Sequence, residues 1–192
     1  MPGDFNRANA LAALAVVQQV GVDYKDAAQV IEKYQTPKGR QDIVYDKDFK
    51  VMIDFAHTPH AFEELLPGLK SVTRGRLIQV FGSAGLRDKS KRSEMGEAAS
   101  KTDDVIILTA EDPRTESVEN IMDDIAKGIS KNKKLRRIAD RQEAIHAAIS
   151  MAQKNDFVVI TGKGHEESMN FGAGEVHWSD YEAVEKALKY GK

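Results

Sequence analysis

From Gly39 onward the chain alternates between short apolar runs and longer stretches of helical character, and this alternation restricts its folds more than any other feature. Leu77–Phe81, Val105–Thr109 and Phe157–Thr161 are nearly continuous apolar runs, rich in β-branched and aromatic side chains. Runs of that kind read as strands buried on both faces, which requires helices above and below a parallel sheet. Helices are predicted between them at Pro59–Ser71, Lys89–Lys101, Val118–Ser130 and Gln142–Gln153, with a last one at Asp180–Tyr190. A shorter strand is expected around Leu135–Ile138. Arg40–Tyr45 and Phe49–Phe55, joined by the polar turn Asp46-Lys47-Asp48, predict a hairpin that adds an antiparallel edge. The expectation is an α/β fold: a mostly parallel sheet with helices on both faces.

The first 38 residues have a different character. Phe5–Val20 reads as a helix rich in Ala and Leu, with Asp4 as its N-cap and Gly21 as its stop. Asp23 is placed to cap a second helix, Tyr24–Tyr34, whose apolar side is Ala27, Ala28, Val30 and Ile31. Thr36-Pro37-Lys38-Gly39 then breaks the pattern. A helical pair this short cannot bury its own apolar face, so it needs the main domain or some other surface.

Bulk properties exclude several classes. A net charge of −2 argues against nucleic acid as the main partner. Without cysteine there is neither a disulfide framework nor a thiolate metal site, which fits the cytoplasm. No apolar run approaches the ~18 residues of a membrane span, and Met1-Pro2-Gly3-Asp4 does not open like a signal peptide.

The chemistry is concentrated where predicted strands end. Asp54-Phe55-Ala56-His57-Thr58-Pro59 puts a carboxylate at a strand terminus, able to accept from vicinal hydroxyls such as a ribose; Asp54 or Thr58 could equally cap the next helix, and His57 could be a buried, satisfied imidazole. Gly82-Ser83-Ala84-Gly85 leaves backbone N–H groups accessible before a helix N-terminus, with Arg87, Lys89, Lys91 and Arg92 adding charge, and this favours an anion over a merely solvated helix start. Glu111-Asp112-Pro113-Arg114 offers a planar guanidinium suited to a carboxylate, or else a surface Asp–Arg pair.

Gly162-Lys163-Gly164-His165-Glu166 is an open loop with a cation, an imidazole and a carboxylate; Glu166 could receive an ammonium group or pair with Lys163. Four such loops on one sheet converge at its carboxyl edge, where α/β sheets bind ligands. Together they suit phosphates, a carboxylate and an amine. No Ser/His/Asp or Cys/His nucleophile set accompanies them, which favours condensation of activated partners over a covalent-enzyme route. The basic run Lys131–Arg137 lacks interleaved aromatics and reads as a solvated loop, and His177 and Trp178 read as a strand or loop against the last helix.

Taken in order, these segments resemble the Mur ligase family, and within it the UDP-N-acetylmuramoyl-tripeptide synthetase branch. Phe5–Ala13 is similar to the helix ending that family's central ATPase domain, and Gly39-Arg40-Gln41 to the start of its Rossmann-like C-terminal domain. The resemblance therefore implies a division into residues 1–38, terminal helices of the ATPase domain, and residues 39–192, the C-terminal domain. It implies that Asn6, Asn9, Arg40, Asp54 and His57 serve the ATP side, and that Arg87, Asp112, Arg114, Gly162 and Glu166 hold the incoming amino acid. No catalytic residue and no metal ligand falls in this stretch, which has no Gly-x-x-Gly-Lys-Thr loop; Mg²⁺ and most of the ATP would be bound by the other domains.

The implied reaction belongs to a monomeric, ATP-dependent ligase. ATP phosphorylates the terminal carboxylate of UDP-N-acetylmuramoyl-L-alanyl-D-glutamate, and an amino acid's amine attacks the acyl phosphate. In members adding meso-diaminopimelate the third loop usually reads Asp-Asn-Pro-Arg. Here the arginine is kept, which favours a distal carboxylate, while Asp112 brings a charge that would welcome a second amine. The alternatives are a related amide ligase, of the lipid II amidotransferase or cyanophycin synthetase kind, or a non-catalytic nucleotide- or anion-binding module.

Overall fold

The structure is a computed structural model that describes residues 4–190; the side chain of Asp4, and so its expected capping role, lies outside the described residues. Six strands form the main sheet: β1 (Asp42–Asp46), β2 (Lys50–Asp54), β3 (Leu77–Phe81), β4 (Val105–Leu108), β5 (Lys134–Arg137) and β6 (Phe157–Thr161). Their spatial order is β1-β2-β6-β3-β4-β5. β1 runs antiparallel to β2 as the expected edge, with a register shift between Ile43 and Tyr45, and every other pairing is parallel. This is the Rossmann-like arrangement that the alternation predicts.

Successive side chains of each strand point to opposite faces, and each face has its own helices. On one side Met52, Leu77, Phe81, Ile106 and Val159 meet α3 (Pro59–Val72), α4 (Ser90–Thr102) and α5 (Val118–Ala126). On the other, Val51, Ile53, Val80, Ile107 and Ile160 meet α6 (Arg141–Met151) and α7 (Asp180–Tyr190). All five residues of β3 and of β6 are buried, which explains their unbroken apolar character. Gln79 is the exception in β3; its Nε2 donates to Thr161 Oγ1 on the neighbouring strand at 3.2 Å.

Local chemistry sets the helix starts. Thr58 accepts from the Ala61 N–H at 3.2 Å, and Pro59 follows at the first position, where its missing N–H costs nothing. Ser117 and Asp140 cap α5 and α6 in the same manner. α1 (Asp4–Gln19) and α2 (Tyr24–Glu32), the latter capped by Asp23, form the N-terminal pair. Their apolar residues are largely uncovered: Leu11, Val16, Val20 and Val30 are exposed.

A two-stranded hairpin, β7 (Ser168–Asn170) and β8 (Glu175–His177), lies outside the main sheet; of it the sequence suggests only the strand or loop at His177, not the pairing. No helix among the described residues is long and apolar enough to cross a membrane.

Candidate functional site

The parallel strands all end on one edge, and the loops leaving them make two adjoining regions. The first is a cleft of about 730 Å³ between the N-terminal helices and the sheet domain. Asn6, Asn9, Arg40 and Asp54 line it, together with Gln41 and His60, which are not among the expected site residues. Asp54 closes β2 and holds the local backbone: Oδ2 accepts from the Gln41 N–H at 2.8 Å and Oδ1 from the Ala56 N–H at 2.7 Å. Gln41 has φ 46°, a left-handed value that a non-glycine residue adopts only when held there. Burial raises the carboxyl pKa of Asp54, against the pull of those two N–H groups and of Arg40. Asn6 Nδ2 donates to Gln41 Oε1 at 3.0 Å, while Gln41 Nε2 is buried with no partner among the described residues.

His57 lies outside the cleft lining. Its Nδ1 is 2.8 Å from the Phe55 carbonyl oxygen, so that nitrogen carries the proton. The Phe55 ring is the joint between the two regions. The His57 ring meets it edge-on at 4.8 Å, His165 lies at 5.2 Å, and the Arg40 guanidinium sits 4.6 Å from its centroid.

The second region is built by the loops after β3, β4 and β6. Lys163, almost completely buried, places Nζ 2.9 Å from Asp112 Oδ1 and 2.6 Å from Glu166 Oε2. Asp112 Oδ1 also accepts from the Asn170 N–H on β7, and Asn170 O accepts from the Arg114 N–H. The hairpin thus braces the loop after β4. Arg114 Nη1 donates to the Gly85 carbonyl at 2.5 Å, tying that loop to the one after β3. Gly85 must be glycine, because a Cβ there would lie 1.9 Å from the Pro113 carbonyl oxygen. Gly162, at φ 109°, packs directly on the Glu111 side chain; a Cβ would meet Glu111 Oε2 at 2.2 Å. Arg87 stands exposed on the loop after β3.

Two charged groups beneath this edge are not among the expected site residues, although Glu111 opens one of the expected loops. Glu111 is buried, its Oε2 has no partner among the described residues, and burial raises its pKa against the nearby cations Arg141, Lys91 and Lys163. Arg141 starts α6, is buried, pairs with Asp180 through two 2.8 Å bonds and donates to the carbonyls of Thr161 and Ala110. It therefore fixes the ends of β6 and β4 from below.

The sequence profile described as "Mur ligase, glutamate ligase domain" matches residues 39–164 of this chain. The chain belongs to the Mur ligase family. Among curated Mur ligase relatives it is 45% identical to the UDP-N-acetylmuramyl-tripeptide synthetase of Borreliella burgdorferi, and 42% identical to the UDP-N-acetylmuramoyl-L-alanyl-D-glutamate–2,6-diaminopimelate ligase of Aquifex aeolicus. Each match takes in 97% of this chain and 38% of the relative, so the chain spans well under half their length. A solved 2,6-diaminopimelate ligase structure superposes with a TM-score of 0.78 at 35% identity, over 98% of this chain and 39% of that one. In this Mur ligase chain the matched stretch contains every strand of the main sheet and three of its four site loops, and it ends at Gly164 within the fourth.

Proposed function

We propose that this chain is the amino-acid-receiving part of an ATP-dependent ligase that extends UDP-N-acetylmuramoyl-L-alanyl-D-glutamate, with meso-diaminopimelate as the added residue. The observation that carries this reading is the charge set at the second region. Lys163 bridges Asp112 and Glu166, leaving that trio one negative charge in excess, and Arg114 adds a positive charge on the same loop as Asp112. A balanced pair of opposite charges suits the far end of diaminopimelate, which carries both an ammonium and a carboxylate. The names of the relatives point the same way.

In the proposed reaction ATP phosphorylates the terminal carboxylate of the UDP-linked dipeptide. The free amine of the incoming amino acid then attacks the acyl carbon, the new amide loses a proton, and inorganic phosphate leaves. The residues here bind and orient rather than form bonds, and orientation of this kind supplies much of a ligase's rate. Arg114 and Glu166 would take the carboxylate and the ammonium, with Arg87 and the backbone at Gly162 closing around them. Asn6, Asn9, Arg40 and Asp54 would face ATP. The unpartnered Gln41 amide nitrogen supports a polar ligand in that cleft.

His57 acts on the nucleotide side through Phe55 and Arg40 rather than from the lining. Among the described residues no group of three or more His, Cys, Asp or Glu side chains is placed to hold a metal ion, and the Mg²⁺ of the reaction would be bound mainly by other parts of the enzyme. Residues 1–38 would complete an ATPase domain, in keeping with the exposed apolar side chains of α1 and α2. The enzyme would act as a cytoplasmic monomer.

Asp112 favours one competing class of substrate, the diamino acids with a single carboxylate. If it reads an amine, the added residue is lysine or ornithine. Amino-acid-dependent phosphate release by the full-length enzyme, measured with diaminopimelate, lysine and ornithine, tests both readings. Release with diaminopimelate at the highest kcat/KM is expected. Preference for either diamine acid would overturn the substrate, and release with none of them would overturn the ligase.

A further inference from the structure

The cations of the loop after β3 are not all turned outward. Arg92 is completely buried on α4. It meets Glu116 through two parallel bonds, Nη1 to Oε1 at 2.8 Å and Nη2 to Oε2 at 2.9 Å. The same guanidinium donates to Asp124 on α5 at 3.0 Å and to the Ala84 carbonyl at 3.3 Å. Glu116, at the end of the loop after β4, accepts from the Leu86 N–H through Oε2 at 3.1 Å, and Lys89 lies 2.8 Å from its Oε1.

Leu86 carries φ 54°, a left-handed conformation that a branched side chain adopts at a cost and that the surroundings must impose. Leu86 immediately precedes Arg87. Across the same junction Asp112 and Arg114 also have positive φ, and Gly85 donates its N–H to the Asp112 carbonyl at 3.0 Å. Two loops holding three strained residues thus share one ion pair, whose arginine is buried.

We infer that the Arg92–Glu116 pair is the positioning element of the amino-acid site: it holds Leu86 left-handed, which aims Arg87, and locks that loop to the one bearing Asp112 and Arg114. Arg92 and Glu116 are positioning residues, acting through Arg87 and Arg114 on the substrate. The inference deepens the proposed function and rests on it. Asp124 provides an internal control. It bonds the same arginine but belongs to α5, away from both loops, so its loss loosens the cluster without freeing Leu86.

The test uses the full-length ligase and steady-state kinetics in both substrates. Glu116→Gln should lower kcat/KM for the amino acid about ten- to hundred-fold, the size of effect that a displacement near 1 Å produces, mainly through KM. The KM for ATP should stay within about two-fold, and Asp124→Asn should leave both near wild type. Adding Leu86→Gly to Glu116→Gln should restore part of the loss, because glycine takes the left-handed conformation without help. A role confined to stability would lower activity toward both substrates alike instead of raising the amino-acid KM selectively.

Unchanged amino-acid KM in a folded Glu116→Gln enzyme, or an equal loss for both substrates, overturns the inference. If Glu116→Gln does not fold, Arg92→Lys, which keeps the charge but not the paired bonds, carries the same expectation and the same refutation. A wild-type enzyme with no amino-acid-dependent phosphate release removes the ligase reading first, and this one with it.

Discussion

Lys163 Nζ lies 2.9 Å from Asp112 Oδ1 and 2.6 Å from Glu166 Oε2, so a single buried cation holds two carboxylates that leave different strands. Without it those carboxylates would repel one another in a half-buried site. Lys163→Met should therefore destabilise the chain by about 1–3 kcal/mol, the cost of losing the charged hydrogen bonds that neutralise two part-buried carboxylates. Urea unfolding checks this: the midpoint should fall with little change in slope. An unmoved midpoint would show that the trio contributes nothing to the fold.

Arg114 and Asp112 should have opposite effects on substrate choice. Arg114→Ala removes the guanidinium expected to bind a distal carboxylate, and a charged hydrogen bond of that kind is worth about 1.5–3 kcal/mol. In the full-length enzyme kcat/KM for diaminopimelate should drop about ten- to hundred-fold while the KM for ATP holds. Asp112→Asn leaves Lys163 paired with Glu166 and deletes a negative charge, so diaminopimelate use should rise relative to lysine. Loss of activity in Asp112→Asn together with a wild-type preference for lysine would mean that Asp112 reads an amine.

The N-terminal helices should open before the sheet. Leu11 is 67% exposed whereas Val159 is fully buried at the sheet centre. Few buried contacts mean a low free energy of local opening. Hydrogen exchange on this chain should show early labelling across 4–36 and late labelling across β6. Equal protection of Leu11 and Val159 would contradict it.

Asp103 should be a stabilising site to neutralise. It is fully buried at the end of α4, its Oδ2 has no partner among the described residues, and burial pushes its pKa well above the usual carboxylate value. A carboxyl whose folded pKa lies above its unfolded one favours folding most when both are protonated, in acid, and loses that advantage as pH rises through the folded value. Asp103→Asn should thus raise stability near neutral pH by about 1–3 kcal/mol, with the gain fading as pH falls through the folded value and gone by pH ~4. Thermal melts at several pH values test this; a gain that grew in acid would reverse the assignment.

What the sequence made legible follows how strongly burial constrains a residue. β3 and β6, buried at every position, have the bounds that their apolar runs predict, and Asp23 and Thr58 cap where their side chains suggest. The β7–β8 pairing was not legible beyond a strand or loop at His177, because three-residue strands with mostly exposed side chains bring no periodicity, and only Met169 is buried there. The four site loops were legible as strand ends. How their charges pair was not, because a cation reads the same in sequence whether it meets solvent or a partner. Residues 87–92 read as one basic anion site, yet Arg92 and Lys89 meet Glu116, and Lys91 donates to the His57 carbonyl. Arg141 and Asp180, 39 positions apart, gave no hint of meeting.

The position of β6 has a consequence for biosynthesis. It is the last strand of the main sheet to leave the ribosome, yet it pairs on one side with β2 and on the other with β3. Until Phe157–Thr161 is made, the nascent chain holds two separate ladders, β1–β2 and β3–β4–β5, each with an apolar edge unpaired. Open edges of that kind recruit other strands. A message truncated shortly before codon 157 should therefore yield an aggregating product rather than a smaller folded one, and the sheet should close in a single late step that joins both halves at once.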